Sequence, residues 1–318
     1  MRVDPDAHDP GRWGHSMVNL AELIVPLLDA VGARSVVEVG AYAGDLTGLL
    51  LEWAGRADAR ILAVDPSPQP GLEKMAAQRP DLELVRQTSL DALPHLPLAD
   101  VVVIDGDHNY YTVSEELRLV AERAADELPL IILHDVCWPH GRRDDYFAPE
   151  LIPEDYRQPT HEGGGLFPGE PGIKSGALPY RWAAAREGGE RNGVLTAVED
   201  FVAAREGLRL AVVPAFFGLG VVWRLNAPWA DRVAAILDPL DRNPLLERLE
   251  ENRVRHLASM HVEMVNTAIE RQRNNRRNEL FAKLLESKSF AIAEWISKLR
   301  QGGEAAISRD EVRRALSD

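Results

Sequence analysis

Short apolar runs alternate with amphipathic segments in the first half of the chain. The apolar runs lie at residues 35–40, 60–65, 82–87, 100–105 and 128–135. The amphipathic segments, which have helical periodicity, lie at 17–32, 45–55, 71–80 and 110–126. Strands that are apolar at nearly every position are typical of a parallel sheet covered by helices on both faces. The pattern therefore predicts a Rossmann-like, doubly wound α/β domain.

The periodicity stops after the fifth apolar run and returns some sixty residues later. Residues 136–193 are rich in glycine, proline and charge, and a long aperiodic stretch is usually functional or disordered. We interpret this segment as a lid or substrate insertion. A helix is predicted at 194–205, and two strands joined by a tight turn at 208–216 and 218–225. Together these elements predict a mostly parallel seven-stranded sheet with an antiparallel last strand.

The C-terminal part of the chain has a different pattern. Residues 243–300 contain no glycine, and Pro244 is their one proline, so we expect a long helical extension. Long amphipathic helices usually pack on a partner or on each other, which predicts a homo-oligomer formed through these helices. Docking on a membrane surface or a glycan complex is the alternative. The predicted domains are a catalytic domain at 1–228 and a helical arm at 229–318.

Composition and charge narrow the class of protein. The net charge of −14 argues against a nucleic-acid substrate, because nucleic-acid binders usually carry a basic face. The one cysteine, Cys137, excludes a disulfide within the chain and makes a cysteine-based zinc site improbable. The N-terminal segment is polar, and no apolar run approaches the roughly 20 residues that span a bilayer. We expect a cytoplasmic protein with no membrane span.

A glycine-containing turn follows the first strand, in the segment Glu38-Val-Gly-Ala-Tyr-Ala-Gly-Asp45. Gly40 allows a tight turn, and Gly44 allows a ligand to approach the start of the helix. A dinucleotide-binding turn has a further glycine between these two, where its pyrophosphate meets the helix amides. Here that glycine is missing and Glu38 is acidic, which suits a cationic ligand. An ordinary strand-to-helix turn is the alternative.

Asp65 ends the second strand, about 20 residues after the glycine turn. An acid at this place can accept hydrogen bonds from both ribose hydroxyls of a nucleoside cofactor. Methyltransferases and dehydrogenases both need such a residue, so Asp65 indicates a cofactor without identifying it.

Acids and histidines follow the fourth and fifth strands. Asp105, Asp107 and His108 end the fourth, and His134 and Asp135 end the fifth. Because ligands of open parallel sheets bind beyond the carboxyl ends of the strands, we expect these groups in one crevice. Carboxylates gathered there can hold a divalent cation that lowers the pKa of a substrate hydroxyl, with a histidine as general base. Alternatively, Asp107 is only a helix N-cap.

The segments EVGAYAGDLT, AVDPSP, IDGDHNYYTVSEEL and LHD together resemble class I S-adenosylmethionine-dependent methyltransferases over about residues 30–225. The resemblance is strongest to metal-dependent O-methyltransferases that act on sugars and antibiotics, including the cephalosporin-hydroxylase-like and macrolide sugar methyltransferase groups. It implies S-adenosylmethionine and a divalent metal, Mg²⁺ or Mn²⁺, as cofactors, and a sugar, glycan or natural-product hydroxyl as the acceptor.

The resemblance also assigns roles to individual residues. The implied catalytic residues are Asp105, His108 and Asp135, with His108 as the base. The implied metal ligands are Asp105, His134 and Asp135; His134 stands where the family has an acid and favours a softer ion than Mg²⁺. The implied cofactor contacts are Glu38, Gly40, Tyr42, Gly44, Asp65, Ser67, Ser89 and Asp105.

The insertion adds candidate acceptor contacts, and other functions remain open. The candidates for the substrate rim are Arg142, Arg143, Asp144 and Asp145, and Tyr180 could stack against a sugar or an aromatic ring. A solvated charged loop is the alternative for this segment. An NAD-dependent oxidoreductase is the rival enzyme, although the middle glycine of a dinucleotide-binding turn is missing from this sequence, which argues against it. A non-catalytic methyltransferase-fold assembly module is the other rival.

Overall fold

A computed structural model describes residues 16–124, 127–161 and 163–300, and from there to the C-terminus residues 302, 305, 308 and 310–312. Its centre is a seven-stranded sheet of order β3-β2-β1-β4-β5-β7-β6, in which β7 alone runs antiparallel to its neighbours. The strands are β1 (Ser35–Val39), β2 (Arg60–Val64), β3 (Leu82–Val85), β4 (Val101–Ile104), β5 (Leu130–Leu133), β6 (Leu208–Val213) and β7 (Leu219–Arg224). The predicted fold class is confirmed.

Helices cover both faces of this sheet. They are α1 (Ala21–Val31), α2 (Asp45–Ala57), α3 (Pro70–Gln78), the single turn α4 (Ser89–Ala92), α5 (Tyr110–Ala124), α6 (Val194–Ala203), α7 (Ala230–Leu237), α8 (Pro244–Glu286) and α9 (Lys288–Arg300). The predicted end of α5, at 125–126, lies outside the described residues.

The alternation of side chains along each strand produces two separate cores. Val36 and Val103 face one layer, which includes Leu27 of α1 and Leu50 of α2. Val37 points to the opposite face of the sheet, where it and its neighbours pack against α5 and α6. Both faces of the central strands are therefore buried, which is the physical reason for their near-continuous apolar sequence. Glu38, within the central strand β1, is a buried acidic residue among these apolar positions.

Over its described residues, the insertion at 136–193 is irregular apart from two short 3₁₀ turns, Pro149–Leu151 and Glu154–Tyr156, and a few isolated antiparallel β-bridges. Two charged residues hold it in place from inside. The Arg143 guanidinium is fully buried and donates to the carbonyl oxygens of Ala184 and Pro171. The Asp144 carboxylate accepts from the backbone N–H groups of Tyr110 and Gly193. Their polar groups replace the backbone ladder that this segment lacks.

By compactness the chain divides into two units, Met1–Ala258 and Ser259–Asp318. Within the first unit, Glu250 at the start of α8 accepts a hydrogen bond from the backbone N–H of Phe217, at 2.8 Å, in the turn between β6 and β7. The second unit contains the remainder of α8 and α9, with several exposed apolar side chains. The long C-terminal helix is confirmed, whereas the domain boundary at 228/229 stays a prediction. Most of the arm beyond residue 300 lies outside the described residues.

None of the described helices is both long enough and apolar enough to cross a membrane.

Candidate active site

A cavity of about 1100 Å³ opens at the carboxyl ends of the parallel strands. The turns after β1, β2, β3, β4 and β5 form its floor, and the insertion forms one wall. Its volume is at the upper end of the range for small-molecule sites. Ligand sites of open parallel sheets lie at this edge. The cavity can therefore hold a nucleoside cofactor and an acceptor at the same time.

The turn after β1 is held close to the end of β4. Gly40 has a φ of 86°, and its N–H donates to the carbonyl oxygen of Val64. A Cβ on Gly40 would lie 2.0 Å from the backbone oxygen of Asp105, a distance that real Cβ atoms do not reach. Only glycine fits at position 40, because the backbone has a positive φ there and because no space is left for a side chain.

Asp65 and Glu38 face the cavity from β2 and β1. Asp65 accepts from the backbone N–H groups of Tyr42 and Ser67, each at 2.7 Å, and each oxygen keeps a lone pair for a ligand. Glu38 is buried, and its carboxylate accepts from the Thr47 hydroxyl at 2.7 Å. Burial raises the pKa of Glu38 to about 8, against the lowering by Thr47. A cation beside Glu38 would stabilise its ionised form.

The other predicted cofactor contacts do not all reach the cavity. Tyr42, Ser67 and Ser89 line it, and Tyr42 is 63% exposed. Gly44 does not line it: a Cβ there would lie 2.8 Å from the Met75 side chain. Gly44 has a φ of 88° and immediately precedes α2, so its conformation and packing account for the glycine.

Four ionisable side chains meet where β4 and β5 end. His108 Nε2 lies 3.1 Å from Asp135 Oδ2 and 3.5 Å from Asp105 Oδ1. His134 Nδ1 lies 3.2 Å from the same two carboxylate oxygens. Asp135 has a φ of 57°, the left-handed conformation that aspartate tolerates better than most residues. We call Asp105, His108, His134 and Asp135 the catalytic cluster.

Mutual attraction dominates the electrostatics of this cluster. Burial disfavours the charged forms, but the carboxylates hold the pKa of both histidines well above the usual value. Burial is likewise outweighed at the acids, where His134 and His108 hold the pKa of Asp135 well below its usual range and lower that of Asp105. Without another cation, the cluster consists of imidazolium and carboxylate groups.

The catalytic cluster has the donor set of a divalent metal site. Ligand atoms of Asp105, His108 and Asp135 all lie within 4.8 Å of one another. The His108 Nε2 atom is buried and forms no hydrogen bond of acceptable geometry, so it remains able to bind a ligand or a proton. His134 Nε2 lies 2.8 Å from the carbonyl oxygen of Phe216, which fixes the ring and leaves Nδ1 toward the acids. These residues fit a metal of the type that accepts both oxygen and nitrogen ligands.

The structure separates the predicted substrate residues into two groups. Tyr180 lines the cavity, whereas Arg142, Arg143 and Asp144 do not. Arg142 pairs with Glu199 at 2.7 Å on the surface. Arg143 and Asp144 lie inside the insertion, and His134 lies beneath the cavity with its side chain 1% exposed.

Sequence reasoning missed one residue that lines the cavity beside the catalytic cluster, His140. The His140 ring stacks on His108, with ring centroids 5.0 Å apart, and Tyr180 packs edge-on against His140. Asp145 also lines the cavity, and its backbone N–H donates to the carbonyl oxygen of His108. His140 belongs to the aperiodic insertion, where no repeat or motif identifies it. Asp107 lines the cavity, and its alternative role as an N-cap is not what the structure shows: Asn109 accepts from the Thr112 N–H and caps α5, while Asp107 accepts from the Phe147 N–H.

Glu116 of α5 allows the effect of burial on the pKa of a carboxyl group, and on the stability of the fold, to be tested. Its side chain is fully buried, and burial raises its pKa to about 8, with a smaller lowering by Ser89. A carboxyl whose folded pKa exceeds its unfolded pKa destabilises the fold as pH rises between the two values. We expect Glu116→Gln to remove a penalty on the order of 3 kcal/mol at pH 7 and almost none at pH 4.5.

Urea unfolding at several pH values measures this difference. The exposed Glu52 of α2 offers the matched control, and Glu52→Gln should change stability little at any pH. A gain for Glu116→Gln that is equal at pH 4.5 and pH 7 would contradict the expectation.

Comparisons with known proteins agree with this geometry. Residues 37–136 match the model of a family described as methyltransferase domain. No curated protein matches the chain.

Solved structures provide weaker likenesses. A methyltransferase from Podospora anserina, bound to S-adenosylhomocysteine, is 15% identical with a TM-score of 0.45, over 68% of this chain and 82% of that one. A methyltransferase from Geobacter sulfurreducens is 14% identical with a TM-score of 0.39, over 71% and 92%. Human N-acetylserotonin methyltransferase, in complex with S-adenosylmethionine, is 14% identical with a TM-score of 0.36, over 65% and 52%. The match of residues 37–136 to a methyltransferase-domain model, together with the seven-stranded sheet, supports the resemblance to class I methyltransferases that the sequence motifs indicated.

Proposed function

We propose that this chain transfers a methyl group from S-adenosylmethionine to a hydroxyl of a small-molecule, sugar or glycan acceptor, with the help of a divalent metal. One observation carries the proposal. The catalytic cluster at the ends of β4 and β5 adjoins the same cavity as Glu38, Gly40 and Asp65. A cationic methyl donor and an activated hydroxyl can therefore meet there.

The cofactor side of the cavity suits a nucleoside that carries a positive charge. The cofactor supplies an electrophilic methyl group on a sulfonium. Asp65, oriented by two backbone N–H groups, can accept hydrogen bonds from ribose hydroxyls. Glu38, whose pKa burial raises to about 8, would become ionised beside the amino group of the cofactor and would then provide its counter-charge. Gly40 lets the backbone approach without a side chain in the way. These roles favour a methyl donor over NAD, whose pyrophosphate would meet an acid in this turn.

The catalytic cluster suits the activation of an oxygen nucleophile. We propose that Asp105, His134 and Asp135 hold Mg²⁺ or Mn²⁺, and that the nitrogen ligand favours Mn²⁺. A divalent ion at this place lowers the pKa of a substrate hydroxyl. A divalent cation would offset the carboxylate charge and so favour neutral imidazole, and His108 would then accept the hydroxyl proton on Nε2, which faces the carboxylates at 3.1 and 3.5 Å. His140, stacked on the His108 ring, would hold the base in position.

Titration of the purified protein tests the cofactor assignment. We expect S-adenosylmethionine and S-adenosylhomocysteine to bind, NAD not to bind, and Asp65→Ala to weaken binding by at least tenfold. The exposed Asp58, after α2, offers the control, since Asp58→Ala should leave the affinity unchanged. Binding of NAD in preference to S-adenosylmethionine would replace the proposal with an oxidoreductase.

Methyl transfer from labelled S-adenosylmethionine to a set of hydroxyl acceptors tests the metal. We expect activity to disappear in excess chelator and to return with Mn²⁺ or Mg²⁺. Full activity in chelator would remove the metal from the proposal while leaving methyl transfer in place.

We also propose that the C-terminal helices join copies of the chain. Exposed apolar side chains in the second unit support this, among them Leu280, Leu284, Trp295 and Leu299. Sedimentation of the full chain, compared with a Trp295→Ser variant, tests it. A monomeric wild-type protein would refute it.

A further inference from the structure

The insertion builds the side of the cavity that lies beyond the catalytic cluster. His140, Asp145, Phe147, Leu151 and Tyr180 all line this side, which we call the acceptor side. Phe147 and Leu151 are 72% and 66% exposed, so the acceptor side combines an apolar rim with polar groups deeper in. Small-molecule sites commonly combine apolar walls with a few placed polar groups.

Asp145 is an acid on the acceptor side whose carboxylate forms no hydrogen bond or close ion pair with the part of the chain that the structure describes. Its backbone is held by the His108 carbonyl oxygen and by a bridge to Ala183, so the residue is fixed in place. Its carboxylate is half-buried and makes no hydrogen bond to any described residue. Burial raises the pKa of Asp145 to about 6, against the lowering by His108. A half-buried carboxylate in a cavity costs free energy until a donor reaches it.

Tyr180 lies on the same side and offers a neutral hydroxyl. Burial, together with the carboxylates of Asp135 and Asp145, raises the pKa of its phenol. The edge-on contact with His140, at 5.1 Å between centroids, holds the ring. Tyr180 therefore stays protonated at neutral pH and can donate to, or accept from, a polar substituent.

The charge of the cavity is one-sided. Eight acidic side chains line it, and no lysine or arginine does so among the residues that the structure describes. The two arginines of the insertion that the sequence placed near the site are committed elsewhere, Arg142 to Glu199 and Arg143 to backbone carbonyls. The acids suit a cationic methyl donor, and they repel an anionic acceptor at the same time. Like charges brought together in a binding site act against the wrong partner.

We propose that the acceptor site selects a hydroxyl compound that presents a second hydrogen-bond donor, a hydroxyl or an amino group, to Asp145, and that it excludes acceptors bearing a phosphate or carboxylate there. This inference rests on the proposed function and names its substrate class. Free and amino-substituted polyols fit the description. Nucleotide-linked and phosphorylated sugars, coenzyme A esters and sugar acids do not.

Matched acceptors test this selection. Each of three scaffolds, a pyranoside, a catechol and a nucleoside, is supplied with a hydroxyl, an amino group or an anionic group next to the reacting hydroxyl. Methyl transfer from labelled S-adenosylmethionine is measured for the wild type, for Asp145→Asn and for the control Asp155→Asn. Asp155 is an exposed acid of the same insertion that does not line the cavity.

We expect the donor-bearing members of any scaffold that is methylated to exceed the anionic member at least tenfold in kcat/KM. Asp145→Asn should reduce this ratio at least fivefold, mainly through KM for the donor-bearing acceptors, while Asp155→Asn leaves it unchanged. Comparison of the hydroxyl and amino members shows which donor Asp145 prefers.

Three results would overturn the inference. They are an anionic acceptor that is methylated as well as its neutral partner, a ratio unaffected by Asp145→Asn, and a panel that stays unmethylated although S-adenosylmethionine binds. Calorimetry on the same protein separates these failures from failure of the cofactor assignment on which the proposed function rests, because the latter would appear as the absence of S-adenosylmethionine binding.

Discussion

Asp135→Asn is expected to lower methyl transfer by about 10³-fold or more, while the affinity for S-adenosylmethionine changes little. The Asp135 carboxylate lies 3.1 Å from His108 Nε2 and 3.2 Å from His134 Nδ1, so its charge supports both histidines of the cluster. The main contacts proposed for the cofactor, Glu38, Gly40 and Asp65, lie at the ends of β1 and β2. Single-turnover kinetics and calorimetry on the same preparation measure the two effects separately.

The choice of asparagine separates a loss of charge from a loss of structure. Asp135 has a φ of 57°, and asparagine adopts this conformation as readily as aspartate. The variant should therefore fold, which circular dichroism would show. Asp231→Asn, at an exposed position of α7, is the control and should keep full activity. Normal turnover by Asp135→Asn would refute the role of the cluster in catalysis.

Gly40→Ala is expected to destabilise the first unit by roughly 3–5 kcal/mol. The added Cβ would meet the Asp105 backbone oxygen at 2.0 Å, and neither backbone segment can move without shifting its strand. The φ of 86° adds strain for any residue with a side chain. The displacement would also change the cofactor turn and the end of β4, so weaker binding of S-adenosylmethionine should accompany the loss of stability.

Gly48 of α2 offers a matched control for the same chemical change. A Cβ there would meet nothing within 4 Å, and the residue is helical. Gly48→Ala should therefore raise stability by about 0.5–1 kcal/mol. Denaturant unfolding of the two variants measures the contrast. Equal stability of Gly40→Ala and the wild type would mean that the turn after β1 is not held against β4 as described.

The roles expected for Asp135 and Gly40 could be predicted from the sequence to different extents. The place of Asp135 follows from a strand pattern followed by acids and histidines, because parallel strands bring their carboxyl ends to one edge. The need for Gly40 is visible as a motif, but the neighbour that enforces it, Asp105, is 65 residues away along the chain. A sequence motif can indicate a backbone conformation without showing which neighbouring atoms make that conformation, or the absence of a side chain, necessary.

The sequence by itself determined the sheet, its flanking helices and the ends of the strands at which Glu38, Asp65, Asp105 and His108 lie. These follow from hydrophobic periodicity, which is local and repeats along the chain. The confirmed fold class and the cavity at the predicted edge of the sheet rest on this local information.

Only the tertiary structure decided what the insertion does. Arg143 and Asp144 turned inward as anchors, while His140, Asp145 and Tyr180 came to line the cavity. It also showed that the start of α8 belongs to the first unit, through Glu250. The physical reason is that an irregular segment is shaped by hydrogen bonds and packing between residues distant in sequence, and no periodicity records which of its side chains face inward.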